Sequence, residues 1–191
     1  LGRELTVFEA EPTYPALRAA IESADVLETV EFHPEHGKYH YDGHRKCGAR
    51  FTPDETRQAG GKCPRCGRPL TLGVLHRVEE LADRDVTVRR DRTGLVRGPV
   101  GRPPFRLLLP LREVLSQALG VGKATKRVAR AYQALVSELG GEYRTLVDAT
   151  RADIEAVADG RVAAAVLAAR EGRLEIEPGY DGAWGTVRIE A

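Results

Sequence analysis

The chain of 191 residues contains no methionine, not even at its first position. A translation product begins with one, so the sequence reads as a fragment of a longer protein. Aromatic side chains are scarce at 6%, with a single Trp, so a core has to be assembled from Leu, Val and Ala. The length allows one ordinary domain or two to three small ones, and the 42% of hydrophobic residues suffice for a core. No apolar run approaches the ~18 residues of a membrane helix. The opening Leu1-Gly2-Arg3-Glu4 does not read as a signal peptide, and a cytoplasmic location without membrane contact is expected. The three cysteines are an odd number, which argues against a secreted disulfide framework.

Net charge is only +1, but it is unevenly placed. Residues 1–32 carry net −5, 33–84 net +3, 85–145 net +7 and 146–191 net −4. A basic block between acidic flanks is a candidate footprint for a polyanion. The competing explanation is an arginine-rich solvated surface.

Hydrophobic periodicity predicts an α+β chain. Thr13-Tyr14-Pro15 opens a helix to about Ala24 with Leu17, Ala20, Ile21 and Ala24 on one face, and Val26 to Phe32 alternates as a strand. Residues 33–74 are rich in Gly, Pro, His and Cys. A helix over Leu75–Arg84 is expected to turn Val78, Leu81 and Ala82 inward. Residues 85–104 hold Arg89, Arg90, Arg92, Arg97 and Arg102 among Gly98, Pro99, Gly101, Pro103 and Pro104, a composition that reads as a linker. Helices follow from Pro110 to Leu119, from the break at Gly120-Val121-Gly122 to Leu139, from the capping-box pattern Thr150-x-x-Asp153 to Val157, and from Asp159-Gly160 to Arg170. Leu174–Ile176 and Thr186–Ile189 read as a short terminal β-hairpin around the turn-rich loop Pro178 to Gly185.

Cys63-Pro-Arg-Cys66-Gly67 is a knuckle in which two thiolates two residues apart can grip one Zn²⁺, the Gly permitting the tight turn. Fifteen residues separate Cys47 from Cys63, within the span between the halves of a zinc ribbon. His44-Arg-Lys-Cys47 repeats the two-residue spacing, so the expected tetrahedral set is His44, Cys47, Cys63 and Cys66. His33, His36 and His40 are the alternatives for the fourth position. Such a set usually closes the shell around a structural ion and leaves no place for a reactive water.

Leu115 to Thr125 resembles the hairpin of helix-hairpin-helix DNA-binding proteins. Gly120 and Gly122 let the turn take positive φ and present backbone N–H groups to a phosphate, with Lys123, Lys126, Arg127 and Arg130 close by. Such contacts grip the DNA backbone and read no sequence; the competing reading is an ordinary glycine cap before a basic helix. Gly122-Lys123 does not belong to a nucleotide-binding loop, because position 117 is Gln and position 124 is Ala. No nucleotide cofactor is expected.

Gly37-Lys-Tyr-His-Tyr-Asp-Gly-His-Arg-Lys-Cys47, Gly61-Lys-Cys-Pro-Arg-Cys-Gly-Arg-Pro-Leu-Thr71, Gly73-Val-Leu-His-Arg-Val-Glu-Glu-Leu-Ala-Asp-Arg84 and Glu177-Pro-Gly-Tyr-Asp-Gly182 resemble the endonuclease Q family, over nearly the whole chain except the arginine-rich stretch 85–102. Relatives are often labelled UvrD-type helicases, although this chain has no helicase motor motif. The resemblance implies a parent built from a PHP-type metallohydrolase barrel, a zinc-binding module and a helical C-terminal region, which nicks DNA 5′ to deaminated bases or abasic sites. Residues 1–32 are then the tail of the barrel, 33–84 the zinc module, 85–104 the linker and 105–191 the helical DNA-binding region. The family's final Asp-x-His ligand motif precedes the stretch that opens this chain. Multi-metal phosphodiester hydrolysis needs several such ligands, so no catalytic residue is assigned here. The chain is expected to bind one structural zinc and DNA, duplex or single-stranded, without cutting.

Reading a deaminated base requires a pocket with hydrogen-bonding groups and an aromatic or apolar wall. Tyr180, Asp181 and Trp184 have suitable chemistry, and His40, Tyr41, Asp42 and Arg45 form a second cluster. Alternatively, Tyr180 and Trp184 simply pack a hairpin whose turn is Asp181-Gly182. Two other functions compete: a non-catalytic zinc-ribbon adaptor for protein partners, and a complete small enzyme with a histidine-rich metal site at 33–44.

Overall fold

The computed structural model describes residues 4–191. Leu1-Gly2-Arg3, on which the signal-peptide reading partly rests, lie outside the described residues. In chain order the first elements are β1 (Leu5–Val7), α1 (Tyr14–Glu22), β2 (Glu28–Glu31), β3 (Asp42–His44), β4 (Ala49–Phe51), α2 (Pro53–Gln58) and α3 (Val74–Leu81). Then come β5 (Arg89–Arg90), β6 (Leu95–Arg97), β7 (Phe105–Leu107), α4 (Leu111–Leu119) and α5 (Lys126–Glu138). The last are α6 (Glu142–Val147), α7 (Arg151–Glu155), α8 (Gly160–Glu171), β8 (Leu174–Glu177) and β9 (Thr186–Ile189). The described residues form two compact units, one of residues 4–32, 86–174 and 189–191, the other of 33–85 and 175–188.

The larger unit holds a five-stranded sheet of order β1-β2-β7-β6-β5. Only β2 and β7 run parallel, with Thr29 opposite Phe105. The segment read as the tail of a barrel therefore shares a sheet with residues 89–107. The stretch expected to be a linker supplies β5 and β6, and buries Leu95 and Val96. Its composition reads as a linker because strands of two and three residues show no period. The expected apolar face of α1 forms, but none of its residues is buried.

The helical core is aliphatic, as the shortage of aromatics requires. Leu111, Val114 and Leu115 of α4, Val128 and Leu135 of α5, Ile154 of α7 and Val162 and Val166 of α8 are fully enclosed. Each such burial contributes about 1.5–3 kcal/mol relative to exposure. α8 also buries Ala163, Ala165, Ala168 and Ala169, so it is enclosed on most sides, as befits a central helix. Thr150 and Asp153 complete the expected capping box, and Thr125 Oγ1, which accepts from the Val128 N–H, caps α5 as well. α6, only six residues long, is too short to show a period. Its buried Glu142 accepts from the Leu111 N–H at 2.8 Å and from the Tyr132 hydroxyl at 3.0 Å, tying three helices together. Glu28 joins sheet to helix: it pairs with Arg106 at 3.0 Å and accepts from the Tyr143 hydroxyl at 2.6 Å. Burial first, and this hydrogen bond second, push the Tyr143 hydroxyl up to about 12.

The smaller unit is built on the antiparallel pair β3–β4, with Asp42 opposite Phe51 and His44 opposite Ala49. Thr71 bridges to Gly43 on the other side of β3. α3 lies opposite to expectation: Val78 and Leu81 are exposed, and His76 is the buried residue. The cause is polar. Asp42 is fully buried and needs donors, which only the Gly73 N–H and the His76 ring supply, each at 2.6 Å.

Candidate metal centre and the loop that braces it

Two short knuckles face each other in the smaller unit. The first is the turn of the β3–β4 hairpin: His44 ends β3, a 3-10 turn covers Arg45–Cys47, and Gly48 takes φ +60 to start β4. The second runs from Cys63 to Gly67, with the N–H groups of Cys66 and Gly67 folding back on the Cys63 carbonyl and Gly67 at φ +70. The Arg65 guanidinium donates to the Cys47 carbonyl and so joins the knuckles. Ligand atoms of His44, Cys47, Cys63 and Cys66 all lie within 4.8 Å of one another. His33, His36 and His40 are not in this group.

The chemistry of the donors fits a metal ion. Three sulfurs this close cannot all ionise beside one another without a cation. The Cys47 thiol is accordingly pushed up to about 11, chiefly by its hydrogen bond with Cys66 and then by burial. Burial also pushes Cys63 up, but N–H donation from Arg65 and Cys66 outweighs it and holds that thiol below its ordinary value. A small core of Ala49, Cys63 and Leu70, with Phe51 against it, backs the site.

The loop 178–185 braces the first knuckle. Asp181 stands at φ +42. Its carboxylate accepts from the Arg45 N–H at 2.6 Å and from the Thr71 hydroxyl at 2.7 Å. Although partial burial opposes it, donation from Arg45 and Thr71 holds the Asp181 carboxyl below the usual range. Tyr41 bridges to Tyr180, and the Tyr180 ring occupies the place a side chain at Gly43 would take. Gly43→Ala therefore forces its methyl into that ring and the Ala49 carbonyl. It is expected to cost about 1–3 kcal/mol, read as a lower urea midpoint at unchanged slope; an unshifted midpoint refutes this packing account.

The other predicted residues divide. Trp184 is exposed, with the Lys38 ammonium 4.8 Å above its ring and His36 at 6.0 Å. His40 stacks on Tyr41 at 5.2 Å, and burial lowers its pKa. The structure thus brings Tyr41, Arg45, Tyr180 and Asp181 together, while Asp42 turns away into the buried contact with His76. His76 and Thr71 escaped sequence reasoning, since nothing local marks them as partners of residues 34 and 110 positions away. In the larger unit Gly120 caps α4 at φ +64. Lys123 pairs with Glu113 at 2.9 Å, while Lys126 and Arg127 open α5 and Arg130 follows one turn on. Among the described residues no helix is long and apolar enough to cross a membrane.

A sulfur-rich clasp on a β-hairpin, in a chain that also carries a helical bundle, has clear likenesses. Residues 110–173 match the family model described as the MJ0043 C-terminal domain. The chain is 31% identical to the protein MJ0043 of Methanocaldococcus jannaschii, over 100% of itself and 24% of that protein. It is 30% identical to the Bacillus subtilis protein YqxK, over 98% of itself and 43% of that protein. Among solved structures it is similar to the lesion-specific endonuclease PfuEndoQ from Pyrococcus furiosus, with a TM-score of 0.82, 33% identity, 99% of this chain and 45% of that one. An endonuclease Q in complex with a 27-mer duplex substrate bearing an abasic lesion at the active site matches with a TM-score of 0.78 and 33% identity, over 99% of this chain and 46% of that one. The chain thus spans less than half the length of each of these relatives.

Proposed function

We propose that this chain is the zinc-holding, DNA-engaging portion of an endonuclease Q-like repair enzyme. The observation that carries the reading is the likeness, at 33% identity over 99% of the chain, to an endonuclease Q captured on a duplex with an abasic lesion. Zn²⁺ is the ion best suited to one imidazole and three thiolates, and its role is structural: it fastens the two knuckles. The α4–α5 hairpin, through Gly120, Gly122, Lys123, Lys126, Arg127 and Arg130, grips phosphates. Lys126 and Arg127 sit at the positive end of α5, where a cation is disfavoured unless an anion arrives. Tyr180, Trp184, His40, Tyr41 and Arg45 belong to the surface that reads the lesion, with Asp181 and Asp42 fixing its backbone.

In the whole enzyme the nick falls 5′ to a deaminated base or abasic site, in a PHP-type barrel of which residues 1–32 are the tail. Among the described residues the His44–Cys66 clasp is the one group of potential ligands able to hold a metal, which supports binding without cutting by this chain alone. The exposed row Leu72, Val74, Val78 and Leu81 favours a second reading, a zinc-ribbon adaptor for a protein partner.

Fluorescence anisotropy with a labelled abasic duplex separates the two. Binding that weakens steeply with salt is expected, because phosphate contacts release counterions. Absent or salt-insensitive binding rejects the DNA reading, and a nick abolished by EDTA rejects the inactivity of the chain.

A further inference from the structure

The edge of the five-stranded sheet carries an arginine ribbon that the α4–α5 hairpin does not account for. β5 and β6 pair with Arg89 opposite Arg97 and Arg90 opposite Val96. Side chains facing each other across an antiparallel pair have Cβ atoms about 4.5–5.5 Å apart, and like charges there are destabilising. Arg92 stands in the turn between the strands and Arg102 just beyond β6. All five arginines are exposed. Arg90 has a local reason to be there: its guanidinium fills the space beside Gly172, the C-cap of α8, where helix carbonyls favour a cation. Arg89, Arg92, Arg97 and Arg102 make no side-chain hydrogen bond or ion pair among the described residues. By contrast the exposed Arg18, Arg77, Arg151 and Arg161 each pair with a nearby carboxylate.

The ribbon is held in shape. Leu95 and Val96 are buried beneath it. In the turn, Asp91 Oδ1 accepts from the Thr93 N–H at 2.8 Å, the Thr93 hydroxyl at 2.6 Å and the Leu95 N–H at 3.1 Å. Gly94, at φ +81, lies so close to the Arg170 carbonyl that no side chain fits there. An open hollow of about 450 Å³ beside the turn is lined by Arg90, Asp91, Arg92 and Glu171. Val100 stands fully exposed in the loop between Arg97 and Arg102. Charge on an edge strand also deters pairing with other chains. That role needs one charge per edge, not two facing each other, and it does not extend to Arg92 and Arg102 outside the ladder.

We propose that Arg89, Arg92, Arg97 and Arg102 form a second site for a nucleic-acid phosphate backbone, distinct from the α4–α5 hairpin; this rests on the DNA reading above. Guanidinium forks suit phosphate oxygens, and an incoming strand supplies the counter-charge that the facing pair lacks. The contact is independent of sequence.

The test is a KCl titration of the 191-residue chain on a labelled 27-mer duplex, comparing wild type with R89Q/R97Q, R92Q/R102Q and the control R77Q/R151Q, which changes net charge equally. Each lost phosphate contact lowers the slope of log K against log salt by about 0.9. Each ribbon variant is expected to lose nearly two units of slope and about tenfold or more in affinity at 0.1 M salt. The control is expected to match wild type. R89Q/R97Q is expected to melt no lower than wild type, since it removes a repulsion. If wild type binds and the ribbon variants keep its slope, the ribbon only guards an edge and the proposal falls while the DNA reading stands. Equal loss in the control reduces the effect to bulk charge and also overturns it. No binding by wild type removes the DNA reading itself, and the ribbon with it.

Discussion

Cys63→Ser is expected to release the metal ion and unfold residues 33–85 and 175–188 while the helical unit stays folded. Cys63 is 1% exposed and belongs both to the clasp and to the small core around Ala49 and Leu70. That core is too slight to hold the unit alone. A structural zinc site contributes about 10–16 kcal/mol of apparent binding free energy at neutral pH, as much as the whole stability of an ordinary domain. Hydrogen exchange with mass spectrometry, alongside metal counting, reads the outcome. Protection should vanish over the smaller unit and persist over α4–α8, and a chelator should reproduce the pattern. If the variant retains one tightly held ion per chain and full protection, the assignment of the clasp is wrong. A second ion per wild-type chain revives a catalytic metal.

Asp42→Ala is the second large loss. Its carboxylate is completely enclosed and receives the Gly73 N–H and the His76 ring, each at 2.6 Å. Removing one member of a buried hydrogen-bonded pair costs about 3–5 kcal/mol, because the other is left without a partner. Denaturant unfolding of the metal-loaded protein measures it. The same loss should appear in His76→Ala, and the double variant should cost less than the two together, as coupled residues do. Additive losses contradict a direct pairing. Because α3 is oriented by this contact, the single variants are also expected to expose the helix to proteolysis near Leu81.

The clasp was legible because its information is local. Each knuckle places two ligands three positions apart and ends on a glycine, Gly48 or Gly67, whose positive φ the turn requires. The longer helices α4, α5 and α8 were legible for the same reason: an apolar repeat and the breaks at Gly120-Val121-Gly122 and Asp159-Gly160 lie within or beside one element. What escaped depends on partners far along the chain or on elements too short to show a period. The face of α3 is chosen by Asp42, 34 residues earlier, and no count of Val and Leu reveals that. β5 and β6 look like a linker because two- and three-residue strands have no period to read, and their arginines outweigh the two buried aliphatics. Glu177 to Gly182 carried a recognisable motif. Its visible chemistry suggested recognition, while the structure gives Asp181 a bracing duty toward Arg45 and Thr71.

That bracing contact spans 136 positions, which orders events on the ribosome. His44, Cys47, Cys63 and Cys66 are all synthesised long before Asp181. At about 5–20 residues per second, the gap lasts on the order of ten seconds. During it a nascent clasp can capture its ion while the Arg45 amide still waits for its acceptor. The order of synthesis thus leaves the clasp open to its ion before the loop arrives to lock it.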